Sequence, residues 1–160
     1  MAIYTSRFSN PELRKGSYLT VRIALGQPRW NLGYRIDGEC GDLMPFGLLG
    51  KYDDDMAAFK REYFSRLNKI GAEKIREQMR KFESAGKDVV LLCYEDVRKG
   101  ENDWCHRIMF AEWWKQRTGE DIAELFDPAP VSAKAYKSPS KPVADKTTPS
   151  PQNEQLSLSF

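Results

Sequence analysis

Asp88-Val89-Val90-Leu91-Leu92-Cys93-Tyr94-Glu95 is the stretch that most narrows what this chain can fold into. Five apolar residues in succession, directly after a segment of helical periodicity, suit a strand covered on both faces. That condition is met at the centre of a parallel sheet. Such a strand needs a layer on each side, and the residues before it supply candidates for both.

Tyr18 to Ala24 is β-rich and alternating, and Gly26 with Pro28 stops it. Ala2-Ile3-Tyr4 reads as a short first strand. Asp53-Asp54-Asp55 opens a helix to about Ile70, with Met56, Phe59, Tyr63, Phe64 and Leu67 on one stripe. Carboxylates at a helix start serve as N-cap and macrodipole partners, so this triplet is read as a cap and not as a metal site. A second helix covers roughly Ala72 to Ala85, with Ile75, Met79 and Phe82 inward and Gly86 as its stop. A third runs from about Trp104 to Arg117 and ends at Thr118-Gly119. Residues 27–50, rich in Gly, Pro and aromatics, form an irregular connection long enough to suggest a functional role. The alternation predicts an α/β fold, a single three-layer domain around a mostly parallel central sheet, followed by a disordered C-terminal tail.

The tail is marked by composition. All four Trp lie between Trp30 and Trp114, whereas six of the nine Pro lie beyond Phe126. From Asp127 to about residue 152 the chain is Pro, Ser, Lys, Ala and Thr, with Tyr136 as its one aromatic before the last few residues. Such a segment has too little apolar surface to offset the entropy of ordering, so an extended linker is expected over 127–152, after an α/β domain over 1–126.

Charge excludes a dedicated nucleic-acid binder, because the net value is only +2. Residues 1–36 nevertheless hold Arg7, Arg14, Lys15, Arg22, Arg29 and Arg35 against Glu12 alone, a basic face that water or an anion could occupy. Three cysteines without a signal peptide read as free thiols in a reducing cytoplasm, and no apolar run is long enough to span a bilayer. No cofactor and no membrane partner are expected.

Chemistry concentrates where the central strand ends. In open α/β sheets ligands bind outside the strand C-termini, where helix N-termini present N–H groups to anions. Glu95, His106 (the only histidine) and Arg107 could supply a carboxylate, a group titrating near neutrality and a fixed cation. Cys105 near a helix N-terminus is a conceivable nucleophile, set against a small buried thiol. Tyr94 and Trp104 could stack a base. Ser6, Arg7 and Arg22, at the ends of the first two strands, complete the expected ligand contacts. Cys93, inside the apolar run, reads as core. A phosphatase loop fails on spacing, since Cys93 to Arg98 is one residue short of Cys-x5-Arg. Zinc is disfavoured because Cys105 and His106, adjacent on a helix, would point to different sides.

These residues carry a resemblance. Ile23-Ala24-x-Gly26-x-Pro28-x-Trp30, Leu49-x-Lys51-Tyr52, Leu91-Leu92-Cys93-Tyr94-Glu95 and Cys105-His106-Arg107, in that order, resemble the domain-of-unknown-function 488 family over about residues 2–125. The family has no established activity. The resemblance implies a small α/β sandwich with Glu95, Cys105, His106 and Arg107 at its site.

The last six residues, Gln155-Leu156-Ser157-Leu158-Ser159-Phe160, resemble the hexapeptide form of the bacterial sliding-clamp binding motif. Gln155 would hydrogen-bond at the pocket mouth, Leu156 and Leu158 would fill apolar subsites, and Phe160 would anchor the end. Four specified positions match by chance on the order of once in 10⁵ windows. The resemblance implies the DNA polymerase sliding clamp (its beta subunit) as partner, and DNA or nucleotides as substrate. Two other readings are a non-catalytic clamp ligand, for instance a phage-type regulator, and an enzyme acting on a small molecule or RNA whose tail is incidental.

Overall fold

The computed structural model describes residues 1–131, with the exception of residue 101. The sheet has five strands, all parallel, in the order β3-β2-β4-β1-β5. They are β1 (Ile3–Arg7), β2 (Tyr18–Arg22), β3 (Gly38–Glu39), β4 (Asp88–Cys93) and β5 (Ala123–Glu124). The fold is α/β, as the apolar run predicts. β4 is that run, and it lies in the middle. Val89 pairs with Ile3 on one side and Leu19 on the other, and Leu91 with Thr5 and Val21. From Val89 to Leu92 the strand has no exposed surface.

One face of the sheet is covered by three helices, α1 (Met56–Ile70), α2 (Ala72–Arg80) and α3 (His106–Thr118). Their Phe59, Tyr63, Leu67, Ile75, Met79, Phe110, Trp113 and Trp114 pack with Val21, Val89 and Leu91. The N-cap expectation for α1 holds, since Asp55 accepts the Ala58 N–H at 3.0 Å, while Asp53 accepts that of Gly50 at 2.8 Å. On the opposite face the third layer is not an α-helix. A short 3₁₀ segment, Pro11–Lys15, and irregular chain carrying Leu32, Tyr34 and Ile36 cover Val90 and Leu92. Tyr34 ties that layer down by donating its hydroxyl to Phe8 O at 2.6 Å.

Connections that step toward β3 cross the second face, and those that step toward β5 carry the helices across the first. Opposite directions on opposite faces are what a single crossover handedness requires.

Observed elements differ from expectation mainly at their ends. β1 runs three residues further than Tyr4, to Arg7, and α2 stops at Arg80, with a turn and a 3₁₀ segment (Glu83–Ala85) before Gly86. The irregular 27–50 stretch contributes β3 and a 3₁₀ segment, Gly41–Leu43. Folded contacts continue past Phe126. Asp127 accepts from Arg7 Nε at 2.6 Å, and Arg98 Nη1 donates to Asp127 O and Ala129 O at 3.1 and 2.8 Å. Residues 132–160, including the clamp-type peptide Gln155, Leu156, Leu158 and Phe160, lie outside the described residues. Among the described residues no helix is long and apolar enough to cross a membrane.

Candidate functional site

β2 and β4 are neighbours, yet the chain leaves them in opposite directions, β2 toward β3 and β4 through α3 toward β5. This is the topological switch point, where divergent loops leave a crevice at the strand C-termini. A cleft of about 280 Å³ occupies it. Ala24–Gly26 form the wall after β2, Pro45 and Leu49 come from the irregular segment, Phe59 from α1, and Asn102–Trp104 from the loop before α3. Asp53, Cys93, Tyr94, Glu95, Cys105 and His106 complete the lining.

Both expected stacking residues border the cleft, each braced by a neighbouring ring. Tyr94 meets Phe8 edge-on at 4.9 Å, and Trp104 meets Phe59 edge-on at 5.0 Å. The Tyr94 hydroxyl also lies where a side chain on Gly26 would begin, 3.2 Å from that Cβ position, so the backbone wall comes close because residue 26 has none.

Arg22 shapes this wall and does not line the cleft. Its Nη1 donates to Ala24 O and Leu25 O at 2.6 and 2.8 Å, and its Nη2 pairs with Glu39. Ser6 and Arg7 are likewise committed elsewhere. Ser6 Oγ donates to Arg7 O and accepts from Asn10, and Arg7 pairs with Asp127. Of the other basic residues in the first 36, Lys15 pairs with Glu12, Arg35 with Asp37, and Arg14 donates to Leu32 O. The basic face is therefore largely neutralised by local partners.

The chemical groups converge on the cleft floor. Cys105 is the N-cap of α3 with extended backbone (φ −146°, ψ 146°), so it stands outside the helical rotation that His106 begins. The two side chains consequently meet instead of diverging, which overturns the premise used above to disfavour zinc. His106 Nδ1 is 3.8 Å from Cys105 Sγ and 3.7 Å from Cys93 Sγ, and Cys93 Sγ is 3.6 Å from Glu95 Oε1. His106 Nε2 lies 2.8 Å from Ile23 O. A carbonyl only accepts, so Nε2 carries the proton, and in the neutral ring Nδ1 keeps its lone pair toward the two sulfurs.

Burial opposes ionisation of Cys105, but the hydrogen bond with Cys93 and the Arg107 charge outweigh it and hold the thiol well below its ordinary range. Its position at the N-terminus of α3 acts in the same direction. Burial pushes Cys93 well up, and its neighbour Cys105 adds to this. Burial likewise pushes the Glu95 carboxyl well above the ordinary carboxylate range, reinforced by the charge on Cys105. Arg107 is fully buried, and only its Nη1 lacks a hydrogen-bond partner among the described residues. Its Nε and Nη2 grip Glu124 at 3.1 and 2.7 Å, and Nη2 also donates to Glu95 O at 2.8 Å. It serves the site through its field and by holding the Glu95 backbone, not as a free anion holder.

The floor thus sets a thiol biased toward ionisation beside a carboxyl biased toward its protonated form and an imidazole oriented by Ile23 O. Sequence reasoning missed Cys93, whose only signal is that it closes the apolar strand two residues before Glu95. It also missed Glu124, which sits in a two-residue strand with no pattern to mark it. No family model matches this chain, no curated protein is significantly similar to it, and no solved structure matches it. What the site can do is therefore set by its own geometry.

Proposed function

We propose that this protein is an enzyme acting on a nucleotide or on DNA, with the β2–β4 cleft as its active site, and that Gln155–Phe160 dock it on the DNA polymerase sliding clamp. One observation carries the reading: a small cleft bordered by Tyr94 and Trp104 has Cys105, Glu95 and His106 on its floor. Its volume is at the low end for a ligand site, which suits a flat ring and not an entire nucleotide. Among the described residues its lining holds Asp53, Glu95 and Asp103 and no Lys or Arg, so a base would enter while its phosphate stays outside. Glu95, whose burial favours the protonated form, is the proton donor. Cys105 gives its thiol proton to His106 Nδ1 and adds its sulfur to an electrophilic C=N carbon of the ring, while the displaced π pair takes the Glu95 proton at nitrogen. A clamp-bound tail raises the local concentration at DNA, so the domain itself need not be basic. The family resemblance stated above supports the same residues.

The test uses the full chain with single-stranded DNA and free nucleosides, with products read by mass spectrometry. Glu95→Gln and Cys105→Ser should each lower turnover by about 10²-fold or more while melting as the wild type does. Removal of the last six residues should abolish clamp binding in calorimetry and leave turnover on free nucleosides intact. Unchanged turnover in both cleft variants would contradict the enzyme reading and favour a non-catalytic clamp ligand. Unchanged clamp binding would remove the docking role.

A further inference from the structure

We propose that Cys93, Cys105 and His106 hold a single thiophilic divalent cation of the zinc class, with the Glu95 carboxylate at the fourth position on the cleft side. The inference goes beyond the activity proposed above and is tested independently of it, since a bound cation takes Cys105, His106 Nδ1 and Glu95 out of the roles given there. The three ligand atoms, Cys93 Sγ, Cys105 Sγ and His106 Nδ1, all lie within 4.8 Å of one another. Two cysteines, a histidine and a carboxylate select zinc over magnesium or calcium, which prefer all-oxygen shells.

Three of the edges are close to those of a tetrahedron. Zinc–sulfur bonds of about 2.3 Å and zinc–nitrogen or –oxygen bonds of about 2.0 Å give sulfur–nitrogen and sulfur–oxygen edges of about 3.5 Å. The structure has 3.7 and 3.8 Å for the two sulfur–nitrogen edges and 3.6 Å between Cys93 Sγ and Glu95 Oε1. A contraction of a few tenths of an ångström brings Nδ1 to bonding edges with both sulfurs, and the Glu95 side chain, outside the three-residue cluster, turns inward to complete the shell.

The outer shell is also in place. A metal-bound histidine is usually oriented by donating its other N–H to a carbonyl or carboxylate, and His106 Nε2 meets Ile23 O at 2.8 Å. Glu95 is positioned through its backbone, where its carbonyl accepts from buried Arg107. Cys40, the third cysteine, is buried in the helical core and takes no part. A bound cation would convert Cys105, His106 and Glu95 from reacting groups to ligands on the floor of the cleft.

The test begins with the full chain, prepared under reductant, loaded with Zn²⁺ and desalted. One zinc per chain is expected for the wild type and for Cys40→Ser. Cys93→Ser, Cys105→Ser and His106→Gln should each weaken binding by more than about tenfold, a loss that even an outer-shell partner can cause. Cobalt in place of zinc should give sulfur-to-metal charge-transfer absorption and intense tetrahedral bands. If a variant fails to fold, alkylation of the wild type decides: zinc should protect Cys93 and Cys105 from iodoacetamide and leave the Cys40 rate unchanged. Substoichiometric zinc, or an alkylation pattern that zinc does not alter, would overturn the site irrespective of any turnover measurement.

Discussion

The helical face of the sheet and the face opposite it bury comparable strand residues by unlike means. On the first, long apolar side chains on α1, α2 and α3 interlock over Val89 and Leu91. On the second, Val90 and Leu92 lie under a 3₁₀ segment and irregular chain fastened by individual polar ties, among them Tyr34 to Phe8 and Asn10 to Glu12. Helical packing draws its stability from area and shape, so it is robust to loss of any one hydrogen bond. An irregular layer must satisfy its backbone group by group, and its geometry depends on each tie. The cleft opens where the two regimes meet, with α1 and α3 on one side and the stapled Ala24–Gly26 loop on the other. The helical half thus presents His106 through α3, Cys93 and Cys105 pack with the second cluster, and the hydrogen-bonded half sets the shape of the entrance.

The contrast can be broken on the helical side first. Trp113 is 1% exposed within the α1–α3 packing, so Trp113→Ala should cost about 3–5 kcal/mol in denaturant unfolding. A loss under about 1 kcal/mol would show that this face is not the stability reservoir. On the other side, Arg22→Met removes the donor to Ala24 O and Leu25 O, and should cost about 1–3 kcal/mol. It should also weaken ligand binding in the cleft more than Trp113→Ala does among molecules still folded, because it releases the wall. Equal effects on binding would erase the distinction between the halves. Tyr34→Phe deletes one tie and should cost about 1 kcal/mol.

The smallest expected effect concerns pH. The Arg98 guanidinium beside Asp96 depresses that carboxyl from 3.8 to about 2. A folded-state value below the unfolded one gives stability that is present above the unfolded value and is lost as pH falls toward 2. Asp96→Asn should therefore flatten the acid limb of stability between about pH 4 and pH 2 slightly, since the pair is near the surface. An unchanged slope would remove Asp96 from the acid response.

How far these two regions are legible in the sequence follows from the same contrast. β4 declares itself through its apolar run, and the α1 stripe from Phe59 to Leu67 through its period, because burial by packing leaves a repeating pattern. β3 and β5 leave none. Each is two residues long and exists because a neighbouring strand offers its edge. The second layer is equally silent, since Leu32, Tyr34 and Ile36 are placed by tertiary ties and not by a regular element. At the site, Glu95, Cys105 and His106 can be located from their place after the central strand. Their convergence cannot. The sequence reading starts α3 at Trp104, which turns Cys105 and His106 apart, whereas the helix begins at His106 and the extended Cys105 turns its sulfur toward the ring. A boundary two residues later changes two separate side chains into one cluster. Arg107 is likewise recognisable as important, but its carboxylate partner is Glu124 and not Glu95.

The central claim, that the β2–β4 cleft binds a base, is tested most directly by titrating nucleosides into the isotopically labelled full chain and following backbone amide shifts. Saturable shifts confined to Ala24–Gly26, Cys93–Glu95 and Trp104–His106, lost in Trp104→Ala, are predicted. Shifts centred elsewhere, or none with any of the common nucleosides at millimolar concentration, would contradict it.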